Sequence, residues 1–287
     1  MSDLSNGAAW MGGRIIPISE ASLPVTDWGL THSDIGYDVV PVWNGAFFRL
    51  DDYLDRFMAS VAALRMQIGM DPAQIAAALH TMVGASGLQA AYVAMVAARG
   101  RNPVPGSRDP RDCDNHFYAW CVPYVHIVKP EIANRGTSVW IAKSVRRIPR
   151  DSVNPRVKNY HWGDFTSGLF EAKDNGFETT LLLDHDDNVT EGPGFNVFAL
   201  FGDRIVTADH GVLHGITRQT VIQMLKDKGI TVHERHIMPE EMEEFEQCWL
   251  TGTAAEVTPV GEIGPYKFEV GALVREIAED YEKLVRA

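Results

Sequence analysis

Thr190-Glu191-Gly192-Pro193-Gly194-Phe195-Asn196 is preceded by Val157-Lys158-Asn159-Tyr160 and followed by Gly215-Ile216-Thr217-Arg218 and then Thr251-Gly252-Thr253-Ala254-Ala255. That order supplies an amine nucleophile, a carboxylate and two hydroxyl-rich turns suited to a phosphate. Around these stretches the second half of the chain reads as alternating elements. Ser138 to Ala142 reads as a strand, Tyr160 to Asn175 as a helix closed by Gly176, and Thr179 to Leu183 and Val197 to Leu200 as strands. Asp184-His185-Asp186-Asp187-Asn188 forms a tight acidic turn. A helix over Thr217 to Lys228, a strand over Thr231 to Arg235, a short helix over Glu240 to Glu246, a strand over Gln247 to Thr251 and an amphipathic helix over Gly271 to Val285 complete it.

The first half has hairpin chemistry. Tyr37 to Trp43 and Ala46 to Leu50 are strand-like runs joined by Asn44-Gly45, a dipeptide suited to a two-residue turn, and Arg14 to Ile18 is a further strand. Leu50, Leu54, Phe57, Val61, Leu64 and Ile68 recur at helical period, with Asp51 as the expected N-cap. Asp71-Pro72 opens a second helix with Ile75, Ala78, Leu79 and Met82 on its apolar face. Ala91 to Ala98 and Phe117 to Val128 read as strands separated by a Pro- and Gly-rich loop over Arg99 to Asp114, long enough to suggest a lid or binding loop.

At 287 residues the chain exceeds the usual single-core domain, so two domains are expected. The polar stretch at residues 129–136 is the expected linker between residues 1–128 and 137–287. A net charge of −12, with no Lys/Arg block, argues against nucleic-acid or anionic-membrane partners. No apolar run reaches the roughly 18 residues of a membrane span, and the first residues, Met1 to Gly7, lack the pattern of a secretory signal. Three cysteines, Cys113, Cys121 and Cys248, leave one without a partner in any disulfide scheme, and a reducing, cytoplasmic compartment is expected. Cys113, His116 and Cys121 match no common zinc spacing, so no metal is expected.

An imine-forming lysine must be able to lose its proton, which burial favours. Lys158 is the candidate. A carboxylate facing a pyridine nitrogen supports its positive charge, and Glu191 is suited to that, with Asn196 ordering the local hydrogen bonds. A helix N-terminus offers N–H groups and a favourable dipole to phosphate, the place of Gly215, Ile216 and Thr217. Thr217 also suits a helix N-cap. These parts together are what a chain needs to hold and use pyridoxal 5'-phosphate (PLP).

In this order and at these spacings the series resembles the fold-type IV PLP-dependent aminotransferases, the group of branched-chain and D-amino acid aminotransferases and (R)-selective amine transaminases. The resemblance runs from about Arg14 to Pro259. It implies an α/β (α+β) subunit of two domains, D-amino acid aminotransferase-like, with the site in the cleft between them and a homodimer as the working form. It implies Lys158 as the Schiff-base lysine and Arg56, Glu191, Asn196, Gly215, Ile216, Thr217 and Thr253 as cofactor-binding residues. Arg218 is expected to be an exposed helix residue. Val157 to Asp164 and the run His32 to Trp43, continued by Phe47 to Asp52, are most similar to the (R)-amine branch, with His32, Tyr37, Val39 and Trp162 as substrate-binding positions; Ala254, in the family's phosphate and substrate turn, is a further one. Thr253-Ala254-Ala255-Glu256-Val257-Thr258-Pro259 is instead similar to the branched-chain enzymes. Where the (R)-amine enzymes carry a movable arginine for the acceptor's carboxylate, this chain has Pro105, with Arg99, Arg101 and Arg108 nearby to substitute. The expected reaction moves an amino group from an (R)-configured primary amine to a keto acid such as pyruvate. The alternatives are a branched-chain or D-amino acid aminotransferase, a PLP-dependent lyase such as aminodeoxychorismate lyase, and a non-catalytic PLP-binding protein.

Overall fold

Asn44 and Gly45 both take positive φ, the two-residue turn that their sequence favours, and Trp43 pairs with Ala46 across it. In this computed structural model, which describes residues 3–129, 132 and 135–287, that hairpin joins strands β3 (Ile35–Trp43) and β4 (Ala46–Phe47). The remaining strands of the same sheet are β1 (Ala8–Met11), β2 (Arg14–Pro17), β5 (Ala91–Arg101) and β6 (Asp114–Pro123). Their order is β2-β1-β6-β5-β3-β4, antiparallel throughout. With α1 (Trp28–His32), α2 (Leu50–Ala63) and α3 (Pro72–Ser86) they form a compact unit made of residues 1–125 and 157–161.

Alternation along the strands gives this sheet two faces. Helices α2 and α3 pack over one, against β3, β1 and β6. The other carries Ile35, Tyr37, Val39, Ala94, Val96 and Ala98, with Tyr92, Tyr118, Trp120 and Tyr160 packed against them. Asp71 makes a capping box with Gln74, and Pro72 opens α3 as its sequence predicts. Helix α2 differs from expectation at both ends. Its N-cap is Arg49, in the left-handed region, and Asp51 lies inside the first turn, where its charge suits the helix dipole. The helix stops at Ala63 rather than running to Ile68, because Arg65 turns left-handed and the Arg99 guanidinium donates to the carbonyls of Leu64 and Arg65.

The second unit, residues 126–156 and 162–287, holds an eight-stranded mixed sheet. Its strands are β7 (Thr137–Ile141), β8 (Thr179–Leu181), β9 (Asn196–Phe201), β10 (Arg204–Ala208), β11 (Val232–Arg235), β12 (Phe245–Gly252), β13 (Glu256–Ile263) and β14 (Tyr266–Lys267). The order is β11-β10-β9-β12-β13-β7-β8, with β14 paired to β13. Helices α4 (Gly163–Asp174), α5 (Ile216–Asp227) and α6 (Ala272–Arg286) pack on β7 and β8, on β12 and on β13 respectively. Val139, Leu181, Val197, Val206, Leu250 and Val260 are part of its apolar core.

Strands β1, β10, β13 and β14 have no counterpart among the expected strands. β13 is interrupted by Pro259 and Gly261, and β10 follows the turn at Gly202, so neither stretch shows a clean alternation. Helix α4 begins at Gly163, later than the expected Tyr160, because residues 157–161 pair with β3: Asn159 bridges Gly36, and the Tyr37 N–H donates to the Lys158 carbonyl at 3.1 Å. The strand expected to reach Val128 ends at Pro123. Of the expected linker, residues 130, 131, 133 and 134 lie outside the described residues, as do Met1 and Ser2 of the N-terminal stretch. Cys121 and Cys248 are buried, Cys113 is half-buried, and all three are free thiols. Among the described residues no helix is long and apolar enough to cross a membrane.

Candidate active site

In the first unit, backbone contacts fix Lys158. Its N–H donates to Ser60 Oγ of α2 at 3.2 Å, and its carbonyl accepts from Tyr37 of β3. The side chain is half-buried, and its Nζ stands 4.4 Å from the centroid of the Tyr37 ring. Tyr37 in turn meets Tyr160 with ring centroids 4.4 Å apart. Cross-strand register sets Val39 beside Ala94 and Ala94 beside Trp120, and likewise sets Tyr37 beside Val96 and Val96 beside Tyr118. Small residues therefore line the centre of this face, with aromatic rings around them. Burial pushes the Tyr92 phenol up to about 12, against the pull of Lys158, and the Tyr118 phenol up to about 12. Burial likewise raises the Tyr160 phenol. These rings stay neutral hydrogen-bonding groups through the physiological range.

Arg56, on α2, is held by Asp38, to which it donates Nε at 2.8 Å and Nη2 at 2.7 Å. Burial works against the guanidinium's charge, but the Asp38 carboxylate outweighs it and raises its pKa. His32 is not brought to the Tyr37–Val39 face: it is exposed at the end of α1, where its ring meets Trp28 and its Nδ1 lies 2.8 Å from Thr31 Oγ1.

Of the three arginines offered for a carboxylate, Arg99 is engaged elsewhere. It is buried, holds Asp34 through Nε at 2.7 Å and Nη2 at 3.2 Å, and closes the C-terminus of α2. Arg101 and Arg108 are exposed.

In the second unit one hydrogen-bonded network joins Glu191, Asn196 and the start of α5. Glu191 is buried, and its Oε2 accepts from the Leu213 N–H at 2.9 Å and from Asn196 Nδ2 at 3.4 Å. Asn196 Nδ2 also donates to the Leu213 carbonyl at 2.9 Å, and the Gly215 N–H donates to the same carbonyl at 3.0 Å. A Cβ on Gly215 would stand 2.6 Å from Asn196 Oδ1, so any other residue here would have to displace the Asn196 amide. Ile216 and Thr217 follow as the first residues of α5, with Gly215 at the N-cap position; Thr217 is inside the helix and is not its cap.

Ladder pairing places Thr251 of β12 opposite Asn196 of β9. A Cβ on Gly252 would lie 2.2 Å from the Gly194 carbonyl oxygen, so the turn carrying Thr253 and the buried Ala254 closes tightly on the Glu191 segment. Thr251 Oγ1 is buried with no hydrogen-bond partner among the described residues.

Arg147, which the sequence did not single out, is buried and donates Nη1 to Asp164 Oδ2 at 2.6 Å and Nη2 to Glu191 Oε1 at 3.2 Å. Its guanidinium carbon lies 4.3 Å from the Phe165 ring centroid. Trp162 packs edge-on to Phe165, in a small core cluster with Ala142 and Leu182. Arg218 is buried rather than exposed: Nη2 donates to Glu234 at 2.7 Å and to the Ala208 carbonyl at 3.1 Å, binding α5 to β10 and β11.

This donor set fits a phosphorylated pyridine. The first N–H groups of an α-helix have no intrahelical partner, a Cβ at Gly215 before α5 would crowd the Asn196 amide, and a buried threonine hydroxyl and a buried carboxylate accompany them.

The chain belongs to the amino-transferase class IV family, whose pattern matches residues 36–263. A putative branched-chain-amino-acid aminotransferase of Methanocaldococcus jannaschii is 27% identical over 280 residues, covering 96% of this chain and 95% of that relative. The branched-chain amino acid aminotransferase from Thermobaculum terrenum in its PLP-bound holo-form superposes with a TM-score of 0.86 at 26% identity, over 100% of this chain and 96% of that one. A branched-chain aminotransferase from Thermoproteus uzoniensis with norvaline gives 0.88 at 26% identity, over 97% and 94%.

Proposed function

We propose that this chain is a PLP-dependent transaminase that moves the amino group of an (R)-configured primary amine to a keto acid such as pyruvate, acting as a cytoplasmic homodimer. The aminotransferase part of this reading is supported by the family match and by a structural relative that carries PLP. The choice of donor rests on one observation: the sheet face beside Lys158 is built from aromatic and small apolar side chains, and the arginine on its strand is clamped to Asp34. An arylalkylamine places an apolar ring against that face.

Bound to this chain, PLP supplies an electron-withdrawing ring that stabilises the charge left when the donor's α-carbon loses its proton. Lys158 Nζ is the general acid/base that takes that proton from the α-carbon. Glu191, oriented by Leu213, Asn196 and Arg147, would support the positive charge of the pyridine nitrogen. The N–H groups of Ile216 and Thr217, the hydroxyls of Thr217 and Thr253, and Arg56 would hold the phosphate. Gly215 lets the backbone approach. Tyr37, Val39, Trp162 and Ala254 shape the substrate's surroundings; His32, exposed at the end of α1, is left out of them. Arg101, exposed at the end of β5, or Arg108, on the exposed loop that follows, takes the acceptor's carboxylate when the keto acid binds.

The second reading, a branched-chain amino acid aminotransferase, is favoured by the names of the relatives. The two are separated by following conversion of enzyme-bound PLP to pyridoxamine phosphate with single donors. We expect conversion by (R)-1-phenylethylamine and almost none by its (S)-enantiomer. Conversion by L-leucine or L-valine with none by the (R)-amine establishes the second reading.

A further inference from the structure

We propose that Tyr281 is a positioning residue for the cofactor phosphate, fixing the Thr217 hydroxyl as a donor toward it. The inference rests on the reading that the phosphate sits at the start of α5. The Tyr281 hydroxyl of α6 lies 3.2 Å from Thr217 Oγ1, with both residues buried. Five other buried threonines among the described residues donate their hydroxyl protons to carbonyls: Thr180 to Trp140, Thr190 to Leu182, Thr207 to Val197, Thr220 to Ile216 and Thr258 to Ala255. For Thr217 the equivalent backbone acceptor is the Leu213 carbonyl, four residues earlier, and that oxygen already receives Asn196 Nδ2 and the Gly215 N–H. Thr217 meets a phenol instead.

A threonine hydroxyl has one proton, and an anion accepts but cannot donate. When the phenol donates to Oγ1, the Thr217 proton is left for the phosphate, and each bond polarises the next. The two helices are tied again at the far end of α5, where Lys228 pairs with Glu276 and Asp280 of α6. The terminal helix thus carries a hydroxyl to the second residue of α5 and anchors its other end.

Tyr281→Phe removes only the oxygen, and the test measures PLP affinity of the full-length apoprotein by absorbance titration, with the 31P resonance of bound PLP as a spectroscopic readout. We expect the dissociation constant to rise about threefold to tenfold, the range of one neutral hydrogen bond, and the 31P resonance to move. Thr217→Ala should weaken PLP binding at least as much, and Tyr281→Phe added to it should change affinity less than about twofold further. Thr217→Ser, which keeps the hydroxyl, should retain near-native affinity and the full sensitivity to Tyr281→Phe. Multiplicative losses in the double variant, or an unmoved 31P resonance and affinity in Tyr281→Phe while Thr217→Ala weakens binding, overturn the role of Tyr281 and leave the phosphate site standing. Native affinity in both single variants overturns the phosphate site itself.

Discussion

Replacing Glu191 by Gln tests stability and chemistry at once. The carboxylate holds three donors: Leu213 N–H and Asn196 Nδ2 on Oε2, and Arg147 Nη2 on Oε1. An amide has one acceptor oxygen. If that oxygen keeps Leu213 and Asn196, the new NH2 group faces the Arg147 guanidinium, donor against donor. Arg147 then retains Asp164 as its charged partner. The loss of one charge-assisted bond in a buried setting costs about 1.5–3 kcal/mol, and the melting temperature should fall by roughly 2–5 °C. Transamination should fall about a hundredfold or more, because a neutral amide no longer supports the charge that develops on the ring. Thermal melts of the apoprotein and single-turnover kinetics of the PLP-loaded variant check the two effects separately. A variant turning over within about twofold of the native rate would refute the role of Glu191, and an unchanged melt would refute the energetic weight given to the Arg147 pair.

Thr253→Ala should weaken cofactor retention, and excess PLP should restore much of the rate, since a phosphate contact is made equally in ground and transition states. Loss of turnover that persists at saturating PLP contradicts it. Arg56→Ala leaves the Asp38 carboxylate, with none of its side chain exposed, without its ion pair, which costs about 3–5 kcal/mol. The double variant Arg56→Ala with Asp38→Asn should recover melting temperature but not PLP affinity, and recovery of both removes Arg56 from the phosphate site. Glu171 accepts from Ser144, Lys143 and Trp140; burial pushes its carboxyl up, but these bonds prevail and hold it down at about 2. Its folded-state value is depressed, so its stabilisation is complete above the ordinary value of 4.5 and disappears as pH falls through about 2. Glu171→Gln should therefore be less stable than the native protein at pH 6 and indistinguishable from it near pH 2 in acid-unfolding curves; a constant difference across that range rules this out.

The hairpin at Asn44-Gly45 and the helix opened by Asp71-Pro72 were legible because their signals are local: a turn that needs positive φ and a cap that needs a side-chain oxygen. The Glu191 segment, Asn196 and the Gly215 turn were legible as chemistry, and the structure brings them into one network. Arg147, Arg218 and Arg99 were not, because a buried arginine looks like a solvated one until its distant partners are placed: Asp164 and Glu191 for the first, Glu234 for the second, Asp34 for the third. Nor could helical period alone show where α2 stops. Its apolar stripe continues through Leu64, while the stop is made by Arg99, far along the chain. Tyr92, Tyr118, Trp120 and Tyr160 lie in strands and a connecting segment, and only cross-strand register reveals that they share a face with Lys158 and Tyr37.

The most direct test of the account is covalent. Borohydride reduction of the yellow, PLP-loaded protein, followed by peptide mapping, should place the pyridoxyl group on Lys158, and Lys158→Ala should abolish both label and colour. A label on Lys143 or Lys173 would contradict the assignment of the site.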